Sequence, residues 1–539
     1  MKLRFRHIKQ LALFLSAFFI LNNQAYAQSD VMELMPGAEK LLYIKETGEH
    51  RLIGNIHIKY QANTIYCDSV SYFDKSTQIK AYGHVHLSKR DTLNLYCDSL
   101  HYNGEIRKAK LWGNVRIRDR DYKITTDSLD FDSKNEVAIY RHGGRVESSL
   151  KKELIISERG YFYPKSKNLA MAGNIVYTSD QARMNTDTMQ YNYAKKKVSF
   201  FGPTHILQKD KTEIDCKRGW YNTATEESFI HQQASIKKEK QFIKADTLYT
   251  NPLKGTSKAL GNIYFYDDQK GVFFTGNKMV SSEKEHKSYL TGKALLSYRL
   301  TNDTLHIHAD TLHIFTDSLK ELALVKGYKN TRFFSLNTQG KCDSLVYHKK
   351  NGKLEMHTQP IIWSKNAELK GTFIHVFLKD SIIEHAEILE KATAITEVDS
   401  LKYYNQIGGK TMFAYFNSNN ELNKVDVTGN AQTIYYPEET NIKDSIVEIQ
   451  RKGMSRLYSS SIKVIVENGE FSKVTYADQA DGVFYPLDKV NVDEQFITGY
   501  SWNPSLRPTS KKNLIPTSKP LDKPIQKVVK PKKKNSKRK

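Results

Sequence analysis

The chain has 539 residues, more than one compact core usually holds, and its 32 Tyr and 24 Phe among many Ile, Val and Thr lean the composition towards strand. The net charge of +23 is concentrated at the ends: the N-terminus carries +4 and residues 511–539 hold a dozen Lys and Arg against Asp522 alone, which leaves the body near +8. That mild body charge, with the export signal described next, argues against a nucleic-acid partner and for anionic envelope material such as lipid phosphates or sugar acids.

Residues 1–27 read as a cleavable signal peptide. Lys2, Arg4, Arg6 and Lys9 precede the apolar run 11–21 (LALFLSAFFIL), and Ala25-Tyr26-Ala27 offers small residues for cleavage before Gln28. The run is too short to span a bilayer as a helix, which takes about 20 residues. No cysteine follows the cleavage position, so a lipid anchor there is not expected. A periplasmic protein is expected, with or without attachment to the outer membrane.

Residues 28–440 are organised by a repeat of about thirteen units. Cys67-Asp68-Ser69-Val70 recurs as Cys97-Asp98-Ser99-Leu100, Thr126-Asp127-Ser128-Leu129 and Thr186-Asp187-Thr188-Met189, with later copies starting at Ala245, Ala309, Cys342 and Val398. With degenerate copies at Ser157 and Cys216, the steps from Cys67 to Ala245 are 30, 29, 31, 29, 30 and 29 residues. A second motif alternates with it: Gly54-Asn55-Ile56, Gly83-His84-Val85, Gly113-Asn114-Val115, Gly173-Asn174-Ile175, Gly261-Asn262-Ile263 and Gly429-Asn430-Ala431. Self-similarity at this period marks a solenoid or array.

Each unit reads as two strands and two short polar turns. From Ala109 to Ile117 apolar residues or glycine alternate with mostly polar ones, the period of a strand with one buried face. Leu95 and Cys97 share one parity, whereas Leu100 and Tyr102 share the other, and the same switch recurs in neighbouring copies. Such a switch implies a bulge or bend at the Asp-Ser pair. The fold expected is all-β: an elongated, open, jelly-roll or solenoid-like trough of stacked antiparallel strands with repeats of about 30 residues. Its inward side chains would be Ile56, Ile58, Val85, Leu87, Val115, Ile117, Ile175, Ile263 and Phe265 from one strand type. Ile65, Val70, Leu95, Leu100, Ile124 and Leu129 would come from the other.

Chemistry finds little purchase. The repeated aspartates are read as acceptors of backbone hydrogen bonds at the bend rather than as calcium ligands, which would need several oxygens about 2.5 Å from one ion. The four cysteines occupy one repeat position, where Thr, Ser or Ala also stand, and are read as small inward fillers. No metal, cofactor or catalytic residue is assigned: paired zinc spacings, a nucleophile elbow and a P-loop are all missing. His306 and His308 are read as an exposed strand face. Residues 441–509 are expected to form a strand-containing cap or docking segment, and 510–539 a disordered Lys- and Pro-rich tail able to attach to an anionic surface.

The Gly-Asn-Ile and Ala-Asp alternation, as in Gly54-Asn55-Ile56 with Ala245-Asp246 and Ala309-Asp310, resembles the OstA/LptA family of lipopolysaccharide-transport proteins over roughly residues 48–440. The resemblance implies an open β-jellyroll that cradles acyl chains as lipopolysaccharide or a related glycolipid crosses the periplasm during outer-membrane assembly. It also implies lipopolysaccharide-export proteins of the inner and outer membranes as partners. Two readings stay open for the inward residues: an acyl groove, or the dry core of a structural or adhesive β-solenoid.

Overall fold

The computed structural model describes residues 32–60, 63–73, 76–89, 93–300, 303–379, 382–399, 403–419, 421–443, 446–467 and 470–516. The expected signal peptide and the tail beyond 516 lie outside the described residues. Strands dominate, and helix among the described residues is confined to short 3-10 turns such as Lys349–Asn351 and Lys511–Asn513. The chain separates at residues 210 and 211 into two compact units.

In unit one the long strands pair antiparallel with their sequence neighbours, while between 137 and 163 they are broken into short strands, so that Gly144–Ser148 pairs with Tyr122–Asp132 and Arg159–Tyr163 with Val137–Tyr140. Lys108–Arg118 shows the rule. Its residues 108–112 pair with 128–132 of Tyr122–Asp132, and 115–118 pair with 123–126, with a register shift between Trp112 and Val115. Two residues, Gly113 and Asn114, stand there opposite one, which is a bulge. Both have positive φ, +71° and +48°. The bulge divides every long strand into a first arm (as at 108–112) and a second arm (as at 115–118). At Gly113 a Cβ would lie 2.4 Å from an Asp98 carboxylate oxygen, so only glycine fits.

The aspartates do sit at the bend, but their partners differ from those expected. Asn114 donates its side-chain amide to Asp98 at 2.8 Å, Asn262 to Asp246 at 3.0 Å and Asn330 to Asp310 at 3.0 Å, while His84 meets Asp68 at 2.9 Å. The two repeat motifs thus lock one strand's bend to the next through side chains. The parity switch has the same origin: Leu93, Leu95 and Cys97 are inward before the bend and Leu100 after it.

Unit two repeats this plan from Glu213–Asn222 onward. The stack runs on past residue 440: Leu422–Tyr435 pairs with Gly453–Glu467 across an inserted hairpin, Glu438–Lys443 with Ile446–Arg451. Glu470–Ala477 and Asp481–Pro486 then pair with the two arms of Gly453–Glu467 and end the sheet. Residues 487–516 turn back across the outer face of the second arm. Their order is retrograde. Gln495 O accepts from Gln406, Asn503 donates to Glu368, and Arg507 donates to Gln339. The segment reaches far enough for Lys511 to act on His306.

This return corrects two expectations. His308 is only 3% exposed and its Nδ1 lies 2.7 Å from the Ala294 carbonyl oxygen, so the His306–His308 face is covered rather than open. Order also continues beyond the expected tail boundary at Ser510, through a capped 3-10 turn to a fully buried Leu514.

Candidate functional site

The inward face is continuous across strands. In unit one the second arm carries a row of direct register partners, Ile58, Ile65, Leu87, Leu95, Ile117 and Ile124. The first arm carries Leu52, Val70, Ala81, Leu100, Leu111 and Leu129 in the same way. Nearer the bend on the second arm lie Ile56, Val85, Val115 and Ile175, each about 1% exposed. Among the inward residues expected from sequence, all are buried except Leu87 and Phe265, which are half-buried. The expectation passed over Leu52, Ala81 and Leu111 on the first arm. The alternation in 109–117 that exposed Val115 and Ile117 carries Leu111 too.

Unit two has a looser lining. Its second-arm row begins Ile214, Ile236, Ile243, Phe265, Phe274, Leu296 and Ile307. The first four are half-buried, although they point inward, and Phe265 stacks on Phe274 with centroids 4.4 Å apart. Here apolar inner surface is reachable from solvent.

The free ends of the two arms are tied together by polar bridges. In unit one, Lys167, on a turn between first arms, reaches Asp119 at 3.2 Å and Asp121 at 3.7 Å on a turn between second arms. Tyr193 donates to the same Asp119 at 3.2 Å. Behind it the Tyr122 hydroxyl donates to the buried Glu153 at 2.9 Å and that of Tyr191 at 3.3 Å. Burial and these carboxylates push the Tyr122 and Tyr193 phenols well above their ordinary values, so both stay protonated donors. Unit two repeats the device. Lys270 pairs with Glu321 at 2.9 Å and Lys365 pairs with Glu421, each joining a second-arm turn to a first-arm turn. The interior therefore lies between a bent edge and a mouth closed at intervals by ion pairs.

Cys67, Cys97, Cys216 and Cys342 are buried and unpaired with one another, and burial pushes each thiol up to about 12, so none is a thiolate at neutral pH. Among the described residues, no three of His, Cys, Asp and Glu converge as a metal site. No helix among them is long and apolar enough to cross a membrane.

The sequence profile of the family described as OstA-like protein matches residues 37–187 and 155–246. Those spans carry the Gly-Asn and Asp-Ser bends of unit one and the first strands of unit two. Over residues 37–246 the chain resembles the OstA-like family. No curated protein matches the sequence. A solved structure, the LptA-homologous periplasmic component LptH of the lipopolysaccharide transport device of Pseudomonas aeruginosa, is similar at 8% identity. The match covers 21% of this chain and 82% of that one, with a TM-score of 0.19. The repeat builds an apolar interior between two arms, and the Gly-Asn and Asp-Ser bends are what bring those arms face to face.

Proposed function

We propose that this OstA-like chain binds the acyl chains of lipopolysaccharide or a related glycolipid in its interior. It carries them through the periplasm between inner and outer membranes, handing over to lipopolysaccharide-export proteins at either side. The observation that carries this reading is the half-buried inner row of unit two, Ile214, Ile236, Ile243 and Phe265. An inward apolar row left reachable by solvent is surface that an acyl chain covers with gain, about 0.8 kcal/mol per buried CH₂. A lining of repeated aliphatic rows offers many equivalent positions, which suits sliding rather than trapping. The basic tail supplies an attachment to anionic envelope surface, and no catalytic step is part of the proposal.

A second reading is favoured by a different observation. Val115, Ile117, Ile124 and Leu95 in unit one are packed to about 1% exposure, as in the core of a structural or adhesive solenoid. The two readings separate at consecutive positions 264 and 265, because alternation sends neighbours to opposite faces. Tyr264 is 45% exposed on the outside and Phe265 faces in. A photo-crosslinking residue at 265 is expected to capture lipopolysaccharide in growing cells and one at 264 to capture little. Equal labelling, or none at either position in folded protein, makes the structural solenoid the better account.

A further inference from the structure

We propose that the rim of unit one beside the Asp119–Lys167 bridge is a binding site for a phosphorylated headgroup. The proposal rests on the reading that the interior takes acyl chains, and it adds where the polar end of such an amphiphile is held.

A cavity of about 790 Å³ opens there between the turn at 119–121 and the hairpin at 148–154. Eight charged side chains line it, five of them cations: Arg118, Arg120, Lys123, Lys151 and Lys152. The three acids are already engaged. Asp119 is held by Lys167 and Tyr193, Glu153 by Tyr122 and Tyr191, and Glu147 by Arg145 at 2.7 Å and Lys123 at 3.7 Å. Among the described residues, Arg118, Arg120, Lys151 and Lys152 form no ion pair, and all four are exposed around the same cavity. Four like charges without counter-ions repel one another, and a dianion placed among them relieves that repulsion while accepting charge-assisted hydrogen bonds.

The location selects an amphiphile over a free anion. The cavity reaches the inward face through Asp119 and Glu153, which line it, are buried, and by alternation share the face of the buried Ile117 and Ile155. An acyl chain among these residues places its headgroup at the rim. The comparable cavity at the mouth of unit two, about 240 Å³, is lined by Lys365, already paired with Glu421, and by the further acid Glu467. The unpaired basic rim of unit one is therefore not repeated at this second mouth.

Calorimetry on the full exported chain tests this with three probes: dihexanoyl phosphatidic acid, dihexanoyl phosphatidylcholine and inorganic phosphate. The variant Arg118→Gln/Arg120→Gln/Lys151→Gln/Lys152→Gln is expected to bind phosphatidic acid about tenfold more weakly and phosphatidylcholine within about twofold of the unaltered chain. A control with equal charge loss, Lys108→Gln/Lys110→Gln/Lys134→Gln/Lys165→Gln, should leave both unchanged. Lys151→Glu/Lys152→Glu, confined to one exposed hairpin, repeats the test if the fourfold variant folds poorly. Equal losses in variant and control, or phosphatidic acid no tighter than phosphatidylcholine, overturn the headgroup site while leaving the acyl reading intact. Failure of both lipids to bind the unaltered chain overturns the acyl reading and this site with it. Inorganic phosphate binding as tightly as phosphatidic acid shows that the free anion is the ligand and overturns the headgroup assignment.

Discussion

Five residues beyond the motif glycine, the second arm presents an outward side chain, and the two units use that row in opposite ways. In unit one it runs Lys59, Thr64, Ser88, Asn94, Arg118, Lys123 and Glu147 through direct register partners. It is polar as far as Glu147 and goes on through Leu154, Thr178 and Arg183 to an exposed Leu207. In unit two it runs Gln339, Trp363, Glu368, Ile395, Gln406 and Ile434, none more than 3% exposed, beneath residues 487–516. The same backbone thus makes a solvated rim in one place and a second core in the other. What differs is the side chains the row carries and the segment that covers them. The buried Glu368 shows how complete the cover is: it accepts from Trp363 Nε1 at 2.9 Å and from the Asn503 backbone and side chain at 3.0 and 3.1 Å, and pairs with Lys370 at 2.9 Å. A carboxylate so satisfied is tolerable in a core, whereas one stripped of those partners is costly.

Removing the cover is expected to have the largest effect. Deletion of 487–539 leaves Trp363, Ile395 and Ile434 in water and strips Glu368 of its Asn503 donors. Hydrogen exchange across the second-arm strands of unit two should accelerate at least about a hundredfold, the equivalent of about 2.7 kcal/mol. Deletion of 517–539 should leave the same amides unchanged. Equal protection in both truncations would mean that the return segment only rests on the surface.

A single exchange within the row gives a smaller, sharper contrast. Trp363→Ala should destabilise unit two by about 3–5 kcal/mol, from the cavity and from the lost donor to Glu368. Lys123→Ala, at the same kind of position in unit one, loses a half-exposed side chain and an ion pair with Glu147 at 3.7 Å, which is worth less than about 1 kcal/mol. Urea unfolding followed by amide exchange in each unit measures both. Similar losses at the two sites would erase the distinction between rim and core.

Much of this was legible in the sequence, and the part that was not has one cause. Period-2 alternation placed Val115, Ile117, Leu95 and Leu100 inward, and the parity switch placed the bend, because both depend on a strand and its immediate neighbours. His306 and His308 were misjudged because the cover arrives from residues nearly two hundred positions later, which no local period encodes. A trace of it does exist. Alternation breaks at Ile361-Ile362-Trp363, Ala394-Ile395 and Ala294-Leu295-Leu296, where adjacent residues are apolar and buried on both faces. Such doubled apolar positions on an otherwise one-sided strand mark a second layer. Leu514 escaped for a related reason: one leucine in a Lys-rich stretch carries no pattern, yet it is fully buried.

Two histidines give the smallest effect and the most direct test of open against covered. His84, at a bend of unit one, stands in solvent with Asp68 2.9 Å away, and that hydrogen bond and charge hold its pKa above the ordinary value. His308, under the return segment of unit two, has its pKa lowered chiefly by burial and further by Arg332, against the opposing pull of the Ala294 carbonyl and Asp310. The linkage signs are opposite. For His84 the folded state holds the proton more tightly, so its contribution is complete below the unfolded pKa and is lost as pH rises through the folded one. For His308 the folded state holds the proton less tightly, so its contribution is complete above the unfolded pKa and is lost as pH falls towards the folded one. Imidazole NMR titration should therefore show His84 titrating above about 6.5 and His308 below it. Asp68→Asn should return His84 to the ordinary value, and deletion of 487–539 should raise His308 towards it. If His308 keeps its depressed pKa after that deletion, its burial comes from the strands alone, and the return segment is not what separates the two units there.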